Sequence, residues 1–592
     1  MLLNTTKKMH ARRNPNLSVT ATAYSQLSPP VHSASLLSPT AASRRGLLSP
    51  PGPLSPSLPS LIPRHGKKQP SCSHSGLVKR SVLVIVGTAL ALWLVLHLMS
   101  ERRTSQGLDF ESSDEWEMVG GNSLPQEPSA IIVQDVKGNP KWTVSIPPSY
   151  GFPLRPAHYQ EICQQSMELS KQLRQEGRAS NSMVKRMLGY YTKDQYFMDV
   201  AEAEEQGLLP SSKANGRPKG FVDDEDMVAK RPQKEEEMKV CERSLTYVME
   251  TTDAGMGTTL MRLWMSYGLA LKENRAFFVD DTRWPYGKYL TYFLPPPPTH
   301  CLPPPASHML PCPHTAHHII VSSATVRQTF GHAFSEEFED ARKMRVQRQV
   351  KIFGLLRTGY EALFKLRQDD AEYVGNRTQA LYADVRKQGG KSVGVHIRRG
   401  DKHPFEYQFQ KDYIPVDRYM AAAQELARSK PRKIVIASDD PQMYESPDLL
   451  PGTVRAQDRI MLATKSALEA AHWGQKKENP WIDDLTGWEG GFFKDVFFSL
   501  GRDGRSRAGS RAAGVEEEVP EQAMRLRELV GRAYLMDLAV LMQADGVVCG
   551  VSAVGCRILA VGMGWEKAIG RGDGGGTWRN VDGLFEWKGI IW

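Results

Sequence analysis

The chain has 592 residues, 24% of them charged, and a formal net charge of +9. That length supports more than one domain and a large buried core. Much of the positive excess lies in residues 1–80, which contain no Asp or Glu, and no internal basic stripe with interleaved aromatics follows, so a nucleic-acid partner is excluded.

Residues 1–78 are rich in Ser, Pro and Leu, cannot build a core, and read as a disordered tail. Residues 79–100 hold an apolar segment long enough to cross a bilayer. Lys79 and Arg80 precede it and an acidic stretch, Asp109–Glu117, follows, so the positive-inside rule predicts a single-pass type II anchor with a cytosolic tail. Cys72 is then cytosolic. Cys163, Cys241, Cys301, Cys312, Cys549 and Cys556 face an oxidising lumen, where six cysteines allow 15 pairings. Asn376-Arg-Thr378 becomes a luminal glycosylation sequon, whereas the sequons at Asn4 and Asn16 stay in the cytosol, unused.

Residues 101–157 read as a polar stem without period, and 158–240 as a helical and strongly charged region in which Tyr159, Ile162, Leu169 and Leu173 keep helical spacing. A first subdomain spans 241–390. Ser244–Glu250 reads as a strand running into Asp253-Ala-Gly255-Met-Gly257 and a helix from Leu260 to Leu271. That turn suits either a phosphate or plain chain reversal. Ala276–Asp280 is the next strand, followed by Trp284-Pro-Tyr286. Leu294–Pro313 is nearly half proline and reads as an excursion from the fold. His314, His317 and His318, close to Cys312, fit a flexible loop better than a zinc site. A helical region covers 334–387.

The second subdomain spans 391–592. It opens on the apolar strand Ser392–Ile397, followed by Arg398-Arg399-Gly-Asp401-Lys402. Open α/β sheets place ligands at the C-terminal ends of parallel strands, and paired guanidiniums there suit a diphosphate, although such a turn can also be a solvated strand end. Then come a helix over 416–426, the strand Lys433–Ala437 with its turn Ser438-Asp439-Asp440-Pro441, an exposed loop over 501–518, a long helix over 520–544, the strand Gly546–Ser552 and the helix Gly555–Met563. Strands alternating with helices twice over predict an α/β fold of two Rossmann-like subdomains facing a cleft, behind the transmembrane helix and the tail.

Three separated motifs, His396-Ile-Arg398-Arg399-Gly-Asp401-Lys402, Ser438-Asp-Asp-Pro and Val548-Cys-Gly-Val-Ser552-Ala-Val-Gly-Cys556-Arg, resemble the alpha-1,6-fucosyltransferases that modify the N-glycan core. The resemblance covers roughly Cys241 to Trp565 and is that of a divergent, fungal-type member. Its first motif is shared with O-fucosyltransferases and bacterial chitin-oligosaccharide fucosyltransferases. It implies a GT-B-type fold that uses GDP-fucose without a metal. By it, Arg398 holds the β-phosphate, Arg399 and Lys402 add positive field, Asp401 orients them, and Glu406 is the general base. Gly255 and Gly257 make the donor-binding turn, Tyr286 lies along the ribose, His396 and Asp537 contact guanine, Ser552 faces the phosphates, and Asp439 and Asp440 are needed for activity. Cys549–Cys556 matches a short disulfide, and Cys241 with Cys301 or Cys312 another. The sequence departs from the family at Ala553 and Val554, where a second serine and a glutamine stand, and at Met256-Gly257-Thr258, which lacks the animal cysteines. It ends at Trp592 without the animal SH3-like domain.

The implied function is inverting transfer of L-fucose to a glycan or glycoprotein, with the core GlcNAc of N-glycans as leading acceptor, in the Golgi lumen. Protein O-fucosylation, or a non-catalytic membrane-anchored GDP- or glycan-binding protein of the same fold, are the alternatives. A homodimer is compatible with each.

Overall fold

The computed structural model describes residues 124–176, 193–212, 221–222, 239–250, 255–399, 413–428, 432–462, 488–489, 492–493, 521–570, 575–583 and 586–589. The expected tail, membrane anchor and 501–518 loop lie outside them. Among the described residues no helix is long and apolar enough to cross a membrane.

The stretch expected to be a featureless stem contains an antiparallel hairpin, β1 (Ser129–Gln134) and β2 (Pro140–Ser145). Its short turn is closed by Gly138 at φ +77°, a backbone region glycine enters without strain. The hairpin buries Ala130, Ile131, Trp142 and Val144, α1 (Pro156–Glu176) packs against both strands, and the Trp142 indole donates to Asp194 at 3.0 Å. A short helix, α2 (Val200–Glu205), starts on Asp199, whose carboxylate accepts from the Ala201 N–H.

The first sheet is parallel, in the order β4-β3-β5, from β3 (Ser244–Val248), β4 (Ala276–Asp280) and β5 (His318–Val321). Between β3 and β4 runs α3 (Met256–Lys272). The proline-rich stretch is no loose excursion. Cys241–Cys301 and Cys163–Cys312 tie it near both ends, and Met309 and Leu310 are buried. His314 and His318 are likewise ordered, which corrects the flexible-loop expectation. His314 meets Glu273 at 2.6 Å, and His318 opens β5, its ring 2.9 Å from the Ser244 hydroxyl. Buried Arg275 fixes this segment from beneath by donating to the carbonyls of His314, Ala316 and His317.

The helix α4 (Val350–Leu363) packs against α3 so closely that backbones touch. A Cβ at Gly268 would lie 2.2 Å from the Leu355 carbonyl oxygen, and one at Gly359 2.2 Å from that of Trp264. After α5 (Gln368–Lys387) comes the second sheet, also parallel, in the order β12-β11-β6-β7-β8. Its elements are β6 (Lys391–Ile397), α6 (Val416–Leu426), β7 (Arg432–Ser438), β8 (Val454–Arg455), a small hairpin β9 (Trp488–Glu489) and β10 (Phe492–Phe493) apart from the sheet, α7 (Glu521–Met542), β11 (Gly546–Cys549), α8 (Val554–Met563) and β12 (Trp578–Asn580). From β6 the chain builds outward to β7 and β8, then returns across to β11 on the other flank. The strand order therefore reverses between β6 and β11, and such a reversal opens a crevice at the strands' C-terminal ends.

Gly268→Ala should destabilise the protein by about 2–3 kcal/mol, because the added methyl meets backbone rather than a side chain that can turn away. Denaturant unfolding of the variant beside Gly354→Ala, where a Cβ meets nothing within 4 Å, checks this.

Candidate functional site

A cavity of about 190 Å³ occupies that crevice. The end of β6 supplies His396 and Arg398, the end of β7 supplies Ala437, Ser438 and Asp439, and the loop after β11 supplies Ala553, Val554 and Gly555. The first lobe closes it with Gly255–Thr258, from the start of α3, and with Tyr286. One face of α7 forms the remaining wall through Val530, Gly531, Tyr534 and Asp537, spaced as helical neighbours must be.

Two helices point their N-termini into this space. α3 is capped by Gly255 and α8 by Ala553, and neither has a side-chain capping bond. No side chain takes up their first-turn N–H groups, although that of Cys556 already donates to the Ala553 carbonyl at 3.0 Å, and the helix dipoles favour an anion. Arg398 adds a permanent cation. Gly257 and Gly555 keep these turns open. A Cβ at 257 would lie 2.7 Å from the Tyr534 hydroxyl, and one at 555 would lie 2.9 Å from Nε2 of His396.

Burial, reinforced by the Arg398 guanidinium, pushes the His396 imidazole down to about 4, so the ring is neutral at physiological pH. Its Nδ1 is buried with no hydrogen-bond partner. Burial pushes the Asp439 carboxyl up to about 6, although the Arg399 N–H donates to it at 2.6 Å and the Arg398 charge also opposes the rise. Asp537 is 7% exposed, and burial holds its carboxyl well above the usual range against hydrogen bonds from Gln457. One of its oxygens, Oδ1, has no partner. Two buried polar groups therefore lack hydrogen-bond partners among the described residues, in the walls of one cavity that also holds a fixed cation.

Of the residues expected from sequence, Gly255, Gly257, Tyr286, His396, Arg398, Asp439 and Asp537 line this cavity together. Three others do not. Arg399 turns away, its guanidinium 4.7 Å over the Tyr413 ring and its Nε 2.9 Å from the Met443 sulfur. Asp440 accepts from the Gln442 N–H and caps the short helix Pro441–Glu445. Ser552 is buried just behind the Ala553 cap, outside the cavity wall. Asp401, Lys402 and Glu406 lie outside the described residues. Sequence reasoning missed Tyr534. Its signal was its place on α7, three residues before Asp537 and so on the same helix face. The pairing Cys549–Cys556 forms across this loop, and Cys241 pairs with Cys301 rather than Cys312. Among the described residues no three His, Cys, Asp or Glu side chains gather as a metal site.

No protein-family model and no curated protein matches this sequence. Among solved structures, the chain aligns with NodZ alpha-1,6-fucosyltransferase soaked with GDP-fucose at 12% identity and a TM-score of 0.28, over 54% of this chain and 92% of that one. Fucosyltransferase NodZ from Bradyrhizobium gives 12% identity and a TM-score of 0.26, over 54% and 92%. A mutant of Arabidopsis thaliana FUT1 in complex with GDP gives 10% identity and a TM-score of 0.28, over 54% and 68%.

His396 offers a pH test of that cavity. Neutral in the fold and freely protonated in the unfolded chain below its ordinary 6.5, it contributes stability that is fully present above 6.5 and is lost as the pH falls towards 4. Asp439 acts in the opposite direction, because its raised carboxyl favours the fold when protonated and costs stability as pH rises through about 6. Lowering the pH from 6.5 to 4 should therefore destabilise the wild type relative to His396→Gln by up to about 3 kcal/mol, read from denaturant midpoints at each pH. Parallel pH profiles for the two proteins would mean that His396 is not buried neutral.

Proposed function

We propose that this protein is an inverting fucosyltransferase that binds GDP-fucose in the cavity at the β6–β11 reversal and passes fucose to a glycan. The observation that carries this reading is the convergence of Arg398 with two uncapped helix N-termini, while buried Asp537, with one oxygen unpartnered, lines the same cavity. The cationic part matches a diphosphate. The carboxyl matches a guanine edge, where one carboxylate can accept from both N1–H and the 2-amino group. A base lacking that pair of donors leaves it buried and unpaired, which is how such sites discriminate.

In the proposed reaction the acceptor hydroxyl oxygen attacks C1 of fucose from the face opposite the diphosphate. As the new C–O bond forms, the bond between C1 and the β-phosphate oxygen breaks, and GDP leaves with the electron pair. The acceptor proton passes to a carboxylate, for which Glu406 is the candidate, at the spacing that the sequence resemblance implies. A single displacement converts a β-linked donor into an α-fucoside. Arg398 and the N–H groups of α3 and α8 neutralise the charge that grows on the leaving group, and preorganised stabilisation of that kind usually lowers the barrier more than any other single effect. Asp401 and Lys402 follow Arg398 in the chain and belong to the same proposal. The acceptor proposed is the core GlcNAc of an N-glycan through an α-1,6 linkage, with a protein hydroxyl as the alternative, and the proposed location is the Golgi lumen behind the N-terminal anchor.

A second reading, a GDP- or glycan-binding protein without turnover, draws on Ala553, which brings no hydroxyl to the α8 cap, and on Arg399, which turns away from the cavity.

Arg398→Ala should lower fucose transfer at least about 100-fold while leaving the melting temperature within a few degrees of wild type. The assay follows labelled fucose from GDP-fucose onto N-glycan and peptide acceptors, with and without EDTA. Near-normal transfer by the variant refutes the arginine's role, and wild-type GDP binding with no transfer to any acceptor favours the second reading.

A further inference from the structure

The cavity contains one group for which the donor reading so far has no role, the phenol of Tyr534. Its hydroxyl sits between the two helix starts, since a Cβ at Gly257 would lie 2.7 Å from it and a Cβ at Gly555 3.2 Å. Both helices are capped by residues without a side-chain donor, Gly255 and Ala553, so neither brings a capping hydroxyl to the point where their axes meet. Tyr534 reaches that point from a third element, α7. What acts on the phenol is burial and the charges of Arg398, Asp439 and Arg557, with no hydrogen bond among the described residues. Burial raises the phenol above its ordinary range, so the oxygen keeps its proton and is a donor at any physiological pH.

We propose that Tyr534 is a phosphate-binding residue of the donor site, donating its hydroxyl proton to a diphosphate oxygen held between the first turns of α3 and α8. This rests on the nucleotide reading above and deepens it. The geometry gives the group three neighbours of one purpose, Arg398 and two sets of helix N–H groups, all of which favour negative charge. A neutral donor suits the place, because a second cation beside Arg398 would repel it, whereas a hydroxyl adds a bond to the anion without that cost. The arrangement also accounts for glycine at both 257 and 555. Any side chain there would push into the volume that the phenol oxygen and the anion share. The competing reading is that the ring only fills space, in which case phenylalanine serves equally well.

The test compares the full-length wild type with Tyr534→Phe, which keeps the ring. Each is titrated calorimetrically with GDP and, on the same preparation, with guanosine. The expected result is GDP binding weakened roughly tenfold, guanosine binding unchanged, and the same melting temperature without ligand. Retained guanosine binding shows that the variant's site is folded. Equal GDP affinity in variant and wild type overturns the phosphate role and leaves the nucleotide reading standing. An equal loss for guanosine and GDP also overturns it, because the hydroxyl then acts through the base or the fold. Failure of the wild type to bind GDP removes the nucleotide reading and the proposal with it.

Discussion

The cavity depends on one close contact, where α7 of the second lobe meets the start of α3 and the aromatic loop of the first. A Cβ at Gly531 would lie 2.5 Å from the Met256 methyl and 2.7 Å from the Tyr292 ring, so glycine is what lets the lobes approach this closely. One turn earlier Arg527, only 2% exposed, donates to the Pro285 carbonyl at 3.3 Å beside Tyr286. On another face of the helix Arg532 grips Asp370 of α5 with two bonds of 2.7 Å and Asp369 with a third of 3.0 Å. Asp370 is 2% exposed and also meets Arg459 at 3.2 Å, so these charges form a partly buried network rather than a lone surface pair. α7 is thus fixed on two sides, and Val530, Tyr534 and Asp537 on it form the cavity wall. Its placement sets the distance between the Asp537 carboxyl and the helix starts.

The adjacent arginines show how a strand end sorts its residues. Successive positions of an extended chain point to opposite faces. Arg398 faces the cavity, and Arg399 faces the other way to lie on Tyr413. Sequence reasoning assigned both to the ligand because charge and spacing treat them alike. Yet Arg399 is not idle, since its N–H donates to Asp439, whose carboxyl lines the cavity next to Ser438. Its contribution passes through the backbone, and a side chain's type does not disclose that.

Much of the architecture was legible because hydrophobic periodicity was strong there. Ala276–Asp280 and Val416–Leu426 fall where the pattern puts them, and the apolar run before Arg398 is the central strand of its sheet. Two elements were not legible. The β1–β2 hairpin is short, lies in a polar neighbourhood, and draws its burial from α1, which sequence alone does not bring near it. β5 is a four-residue strand behind a proline run, and the prolines signal a loop. What makes that segment ordered is non-local: two disulfides and the buried Arg275, each joining residues far apart in the chain. In the cavity wall Gly255, Gly257, His396, Arg398, Asp439 and Asp537 were named from the sequence, Arg399 and Asp440 turned out to lie outside it, and Tyr534 was missed, because an aromatic on an amphipathic helix reads as core until its neighbours are known.

The cavity's polar groups carry a cost of their own. A buried donor or acceptor without a partner costs about 1–3 kcal/mol, and His396 Nδ1 and Asp537 Oδ1 are both in that state. The protein limits that cost through protonation. His396 sheds its proton, and the Asp537 carboxyl is held well above the usual range, which favours its neutral form. The Arg398 guanidinium keeps its charge throughout. A ligand bringing negative charge beside Arg398 and two N–H donors to Asp537 would draw the aspartate towards its ionised form. Binding and deprotonation of Asp537 are then linked, so affinity for such a ligand should rise with pH until the empty-site carboxyl is itself ionised, and Asp537→Asn should flatten that rise. GDP titrations across a pH series in the wild type and in Asp537→Asn measure the difference. A pH-independent wild-type affinity would mean that the carboxyl does not receive the base.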